Sequence, residues 1–246
     1  MTFADTVEPV RHLTSPGKPE EFSKGLVGDA VSTVGDWLSP SVWALQTVKF
    51  AVGVDPLEEA ISWFTGDWES YAKCGEAWAS TGALVKDIAT NLRSGSAQLD
   101  ASWQGNASDA AYVYFDELAR TTEALESDLK ELKTYYDEAA MAVSTGLDLV
   151  KGLLTELADQ AIIAEAELAA GTLLAETGVG AVMCYGAAVL EIAGMVRTWG
   201  RMTEAYAAAE DSVRTAVTGA GLVCGRIGVA LQSLPEPGAS YDNPAV

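Results

Sequence analysis

Asp100-Ala101-Ser102-Trp103-Gln104-Gly105-Asn106-Ala107-Ser108-Asp109 is the short interruption between two long periodic stretches of this chain, and it decides the fold. Before it, small or apolar residues fall at 68, 71, 75, 78, 82, 85, 88, 92, 95 and 99. After it they fall at 111, 114, 118, 122, 125, 129, 132, 136, 139, 143, 147, 150, 154, 157 and 161. Steps of three and four are the signature of an α-helix with one face against a partner. Gly105 and Asn106 are turn residues that tolerate positive φ, and Ser108 with Asp109 is a helix-opening pair. Neither stripe is buried by its own helix. Two such segments joined by a few residues are therefore predicted to fold back antiparallel, as a helical hairpin over 66–150. Gly75 and Gly82 lie on the first stripe, where they cost helix propensity but admit a close neighbour. Any bend in the second helix is expected at Gly146 or Gly152.

Working outward, Asp55-Pro56-Leu57-Glu58 reads as a cap, a proline at the first helical position and an acid in the first turn. Ser39-Pro40 repeats the device and opens a helix to about residue 52. Residues 19–35 look weakly amphipathic and helical, Gly66 marks a bend with Asp67 recapping, and residues 1–18 read as a flexible N-terminus. N-terminal helices thus occupy 19–65. Beyond 161 the stripe dissolves into a segment apolar on nearly all sides, with a turn predicted at Thr177-Gly178-Val179-Gly180. A second apolar helix is expected over 181–199, continuing to about 217, with Gly219, Gly221, Gly225 and Gly228 thinning the last segment. The helical extension covers 151–233, and 234–246 reads as a disordered tail. No strand pattern or fixed-period repeat is present. The predicted class is all-α, an elongated antiparallel helical bundle.

Composition narrows function. The 246 residues carry 15 Lys+Arg against 35 Asp+Glu, a net charge of −20. The excess is even along the chain, which argues against nucleic-acid binding and against adsorption to anionic membranes. His12 is the one histidine, in a Pro/Gly-flecked stretch that reads as solvated tail, so a Ser-His-Asp or Cys-His arrangement has no base. Cys74, Cys184 and Cys224 are too far apart for a zinc site and are expected to be three buried free thiols. A di-iron bundle site needs Glu-x-x-His, which is missing. The reading is non-enzymatic: no catalytic residues, cofactor or metal. No Sec-type signal opens the sequence. The longest uncharged run in the apolar segment, 177–190, is 14 residues, short of the roughly 20 that span a bilayer. A buried helix packed through small residues is expected there. The alternative is a membrane-active, pore-forming-like protein that uses a 161–196 apolar hairpin.

Trp103-x-Gly105, in the only short turn between the two stripes and within WQGNASDAAYVYF, resembles the WXG100 family of type VII (ESX) secretion substrates. The bare tripeptide is a weak signal in a chain with 7 Trp and 23 Gly; its place at the hairpin turn carries the resemblance. The resemblance covers residues 66–150. It implies a helical hairpin secreted folded, without a Sec signal, through a type VII ATPase and its machinery. It also implies pairing with a second helical-hairpin protein or with another copy. A second element of the family, Tyr-x-x-x-Asp/Glu, puts a phenol and a carboxylate on one helix face. It occurs as Tyr206…Glu210, C-terminal to the hairpin as the family has it, and as Tyr112…Asp116 within the second helix. The extra helices on both sides look more like the larger PE/PPE- and EspB-like substrates, or the N-terminal delivery domains of actinobacterial toxins. On that layout the extra helices would cover the hairpin stripe in cis.

Overall fold

The computed structural model describes residues 5–16, 44–66 and 68–236. Five α-helices follow one another there: α1 (Ala44–Val52), α2 (Pro56–Trp63), α3 (Trp68–Asp100), α4 (Asn106–Leu173) and α5 (Val179–Gln232). Short 3₁₀ turns occupy Pro9–His12 and Ala175–Thr177, and no strand occurs among the described residues. The protein is an all-α helical bundle. The expected helix at 19–35, the Ser39-Pro40 cap, Asp67 and residues 237–246 lie outside the described residues.

Local chemistry sets the boundaries. Asp55 Oδ1 accepts hydrogen bonds from the amides of Leu57 (3.1 Å) and Glu58 (3.2 Å), with Pro56 at the first position of α2. This satisfies two of the amides that a helix start leaves unpaired. At the 173–179 turn Gly178 takes φ +65°, a conformation open to glycine, and α5 starts at the next residue.

The described residues divide between two compact units. The first draws on residues 1–17, 73–137 and 216–246, the second on 18–72 and 138–215. In the first unit α3 and α4 run antiparallel. Gly82 lies against Glu126 and Leu129, while Gly75, earlier on α3, lies against Lys133, Tyr136 and Asp137. The core is Leu125, Leu129, Leu132, Ala220 and Val223, closed by Trp78, Val85 and Tyr135. Gly219 of α5 faces the Tyr135 ring, where a Cβ would sit 2.4 Å from the ring. That glycine makes room for an aromatic ring instead of thinning the helix.

The second unit buries a larger set. Val143, Leu147, Val150, Leu154, Leu157 and Ala161 on α4 meet Met195, Met202 and Ala209 on α5, with Val48 and Phe64 packed in. The α4 residues are the ones the periodicity named, because a stripe at threes and fours has one buried face. Gly146 is needed for closeness: a Cβ there would lie 2.7 Å from that of Ala209 and 3.3 Å from Phe64. α4 continues unbroken through Gly146 and Gly152 to Leu173, well past the end of the stripe.

Two expectations are corrected. The cysteines are free, but Cys74 and Cys224 are exposed and Cys184 is half-buried. Cys74 and Cys224 each adjoin a buried position, Gly75 and Val223, so the helical turn of about 100° points them outward. The apolar start of α5 is not a buried helix either. The 18-residue window apolar enough to cross a membrane, found in Val179–Gln232, is only 22% buried. Small residues such as Ala181 and Ala188 take the inner face and leave the larger ones outside.

Candidate functional site

The turn carrying Trp103 and Gly105 belongs to the first unit and is held by backbone and side chain together. The amides of Ser102 and Trp103 both donate to the carbonyl of Leu99, at 3.0 and 2.8 Å, closing the end of α3. Gly105 then takes φ +109°. No atom lies within 4 Å of where its Cβ would be, so glycine is there for its conformation and not for space. α4 begins at Asn106, two residues earlier than the sequence suggested. Ser108 therefore lies inside the first turn of α4 and is 3% exposed, and its hydroxyl donates to the Trp103 carbonyl at 2.6 Å. The backbone of Trp103 is thus fixed from both sides while the residue stays 44% exposed. A rigid mount with an accessible aromatic ring suits recognition, because little ordering entropy remains to be lost on contact.

The N-terminal stretch 5–16 lies along α3 in the same unit. Asn91 Oδ1 accepts from the amides of Thr6 (3.0 Å) and Val7 (3.1 Å), and its Nδ2 donates to the Val7 carbonyl (2.9 Å). Arg11 Nη2 and His12 Nε2 each sit 2.9 Å from Asp87 Oδ2. His12 is therefore clasped to a carboxylate rather than solvated in a tail. The sequence held no signal for this, since the partners are 75 or more positions apart. A cavity of about 270 Å³ lies beside this stretch, lined by Pro9, Ile88, Leu92, Ser96, Leu99 and Phe115 among others.

Around it the first unit carries ion pairs between helices. Arg93 of α3 hydrogen-bonds Glu123 of α4, which lowers that carboxyl below its ordinary value and raises the guanidinium. Glu126 is lowered chiefly by its hydrogen bond to Lys130, with Lys86 across the hairpin adding to it. Burial pulls Lys133 down, but hydrogen bonds to Asp137 and Glu76 outweigh it and hold the amine raised.

Tyr206 and Glu210 lie in the second unit. The Tyr206 ring stacks on Trp63 at 4.8 Å and 15°, with Phe64 edge-on at 6.0 Å, and Trp199 lies 5.6 Å from Trp63. Tyr206 is half-buried in this aromatic group, while Glu210 is exposed and paired with Arg214 at 2.6 Å. Trp103 and Gly105 therefore share one turn, whereas Tyr206 and Glu210 belong to the other unit and differ from each other in exposure. In the first unit Tyr112 is 45% exposed, and Asp116 pairs with Arg120 one turn on.

Among the described residues no three His, Cys, Asp or Glu side chains converge as they would around a metal ion. The chain matches no protein-family model, no curated protein and no solved structure.

Proposed function

We propose that this protein is a non-enzymatic substrate or structural, delivery component of a type VII (ESX) secretion system, exported without a Sec signal. The observation that carries the reading is the mounted turn. Trp103-x-Gly105 sits between two long antiparallel helices, its backbone fixed by Leu99 and Ser108, with the indole open to solvent. The first contact is with the secretion ATPase and its machinery, which read an assembled surface and not a linear peptide. Glu210 is the accessible half of the second motif, and Tyr206 holds the helix that presents it. A second helical hairpin or another copy is the further partner of this reading.

The test is export. In a host with an intact type VII ATPase the full chain is expected in the culture supernatant, and it stays in the cell when the ATPase is deleted. Trp103→Ala should cut export about tenfold or more with cellular protein still folded, since a half-exposed aromatic at an interface centre contributes on that scale. Export that ignores both changes overturns the reading.

A further inference from the structure

The end of the second unit where α4 turns into α5 is built against the usual order. On α5, Val179, Val182, Met183 and Leu190 are 71–73% exposed, and Val189 and Val196 are also exposed. At about 100° per residue these six fall on one arc of the helix, closed at its far end by Arg197. The opposite arc, with Ala181, Ala188 and Met195, faces inward. The other arm behaves likewise: Leu168 and Leu173 at the end of α4, and Leu174 just beyond it, are exposed, Leu173 at 84%. The arms themselves are joined. The Tyr185 ring covers Gly171, and Gln160 packs on Gly194.

Monomeric proteins seldom leave this much contiguous apolar surface in water. We infer that this hairpin tip inserts into one leaflet of an electrically neutral lipid bilayer. Three features select lipid over a protein partner. The apolar surface lies on α5, on the turn and on α4, whereas a partner helix covers one seam and leaves the rest wet. No Lys or Arg occurs from 152 to 196, and between Glu167 and Glu191 the one charge is Glu176 in the turn. Finally, the uncharged arms measure about 9 Å on α4 and 18 Å on α5, at 1.5 Å per residue. One leaflet of hydrocarbon is about 15 Å deep. The tip therefore dips and does not span. The net charge of −20 directs it to neutral lipid, since anionic headgroups repel the rest of the chain.

The test uses the full chain with its three cysteines changed to serine and Val182→Cys carrying an environment-sensitive dye. With vesicles of phosphatidylcholine alone, the protein is expected to float and the dye to shift to the blue. Lipids brominated at single acyl depths should quench it most at mid-leaflet. Met183→Glu with Leu190→Glu should lower partitioning at least tenfold while helix content and melting stay unchanged, because both sites face solvent. Glu176→Gln should raise partitioning about tenfold, since a carboxylate in hydrocarbon is what the tip has to overcome. No flotation and no shift overturns the inference. So does a blue shift that grows with protein concentration in the absence of lipid, which assigns the face to a second copy. A dye already shielded from iodide in lipid-free monomer and unmoved by vesicles also overturns it, and assigns the face to another part of this chain.

Discussion

The two units hold their helices together by different means. The first has a modest aliphatic centre, Leu125, Leu129, Leu132 and Val223, surrounded by charge pairs that cross between helices. Lys133 reaches Glu76 at 2.7 Å, Arg226 reaches Asp128 at 2.9 Å and also Glu131, and Lys86 reaches Glu126 at 3.3 Å. The second unit has a continuous run of Leu and Val from α4, two methionines from α5 and an aromatic group around Trp63. Among the described residues its charge pairs between elements are Arg201 with Glu156 and, at 3.8 Å, Lys49 of α1 with the α2 cap Asp55. Exposed charge pairs contribute a few tenths of a kcal/mol each, and one buried Leu several times that. The first unit should therefore respond to salt and acid, and the second to lost volume.

The largest effects should come from cavities. Leu157, 0% exposed, stands in the larger core, and Leu132, 1% exposed, in the smaller one. Leu→Ala at such sites costs about 2–5 kcal/mol. Leu157→Ala is expected at the upper end, because more fixed neighbours surround the void. Leu132→Ala is expected lower, since Trp78 and Tyr135 can shift into it. Denaturant melts measure the sizes, and amide exchange should localise each loss to its own unit. Equal losses, or exchange spread over both units, break the contrast.

Next come the two turns. Gly105→Ala meets no atom, so its cost is backbone strain alone, about 1–3 kcal/mol. Gly178→Ala, at φ +65° and ψ −57°, is in the same position. The difference lies in consequence. Gly105→Ala should also lower export in the proposed pathway, because it shifts the mount of Trp103. Gly178→Ala should leave export unchanged and alter vesicle binding. Melting points with both assays separate stability from recognition.

Much of this was legible in the residues. The stripe that names Leu125, Leu129, Leu132, Leu147, Leu154 and Leu157 is a direct record of one buried face, and Asp55-Pro56 is a complete local cap. The turn at Gly105 could be read because its chemistry is local. The orientation of residues 162–196 could not, because a helix apolar on all sides carries no period to show which side is inside. The N-terminal clasp was hidden for another reason. Asn91 and Asp87 look like ordinary polar residues of a helix face, and only the fold brings Thr6, Arg11 and His12 to them. Tyr206 shows a third limit: a motif puts two residues on one helix face without saying that one turns into an aromatic group.

The smallest effect sharpens the comparison most. Glu123 and Glu126 in the first unit and Glu156 in the second have lowered pKa values, by hydrogen bonds to Arg93, to Lys130 and to Arg201 in turn. A carboxyl whose folded pKa is depressed adds stability above its unfolded value, here 4.5, and loses it as pH falls through the folded value. Between pH 7 and about pH 5 these groups should therefore leave melting unchanged, and below 4.5 stability should fall. Glu123 and Glu156 are well exposed, and Glu126, though more covered, pairs with two exposed lysines, so each accounts for at most a few tenths of a kcal/mol, about 1 °C in a chain of this size. Among the described residues the first unit has two such groups and the second one, so exchange protection should drop first in the first unit. Glu123→Gln with Glu126→Gln should remove that ordering, and about 0.5 M salt should flatten it by screening. A loss that begins in the second unit, or one indifferent to salt, would show that the cross-helix pairs do not set the weaker unit.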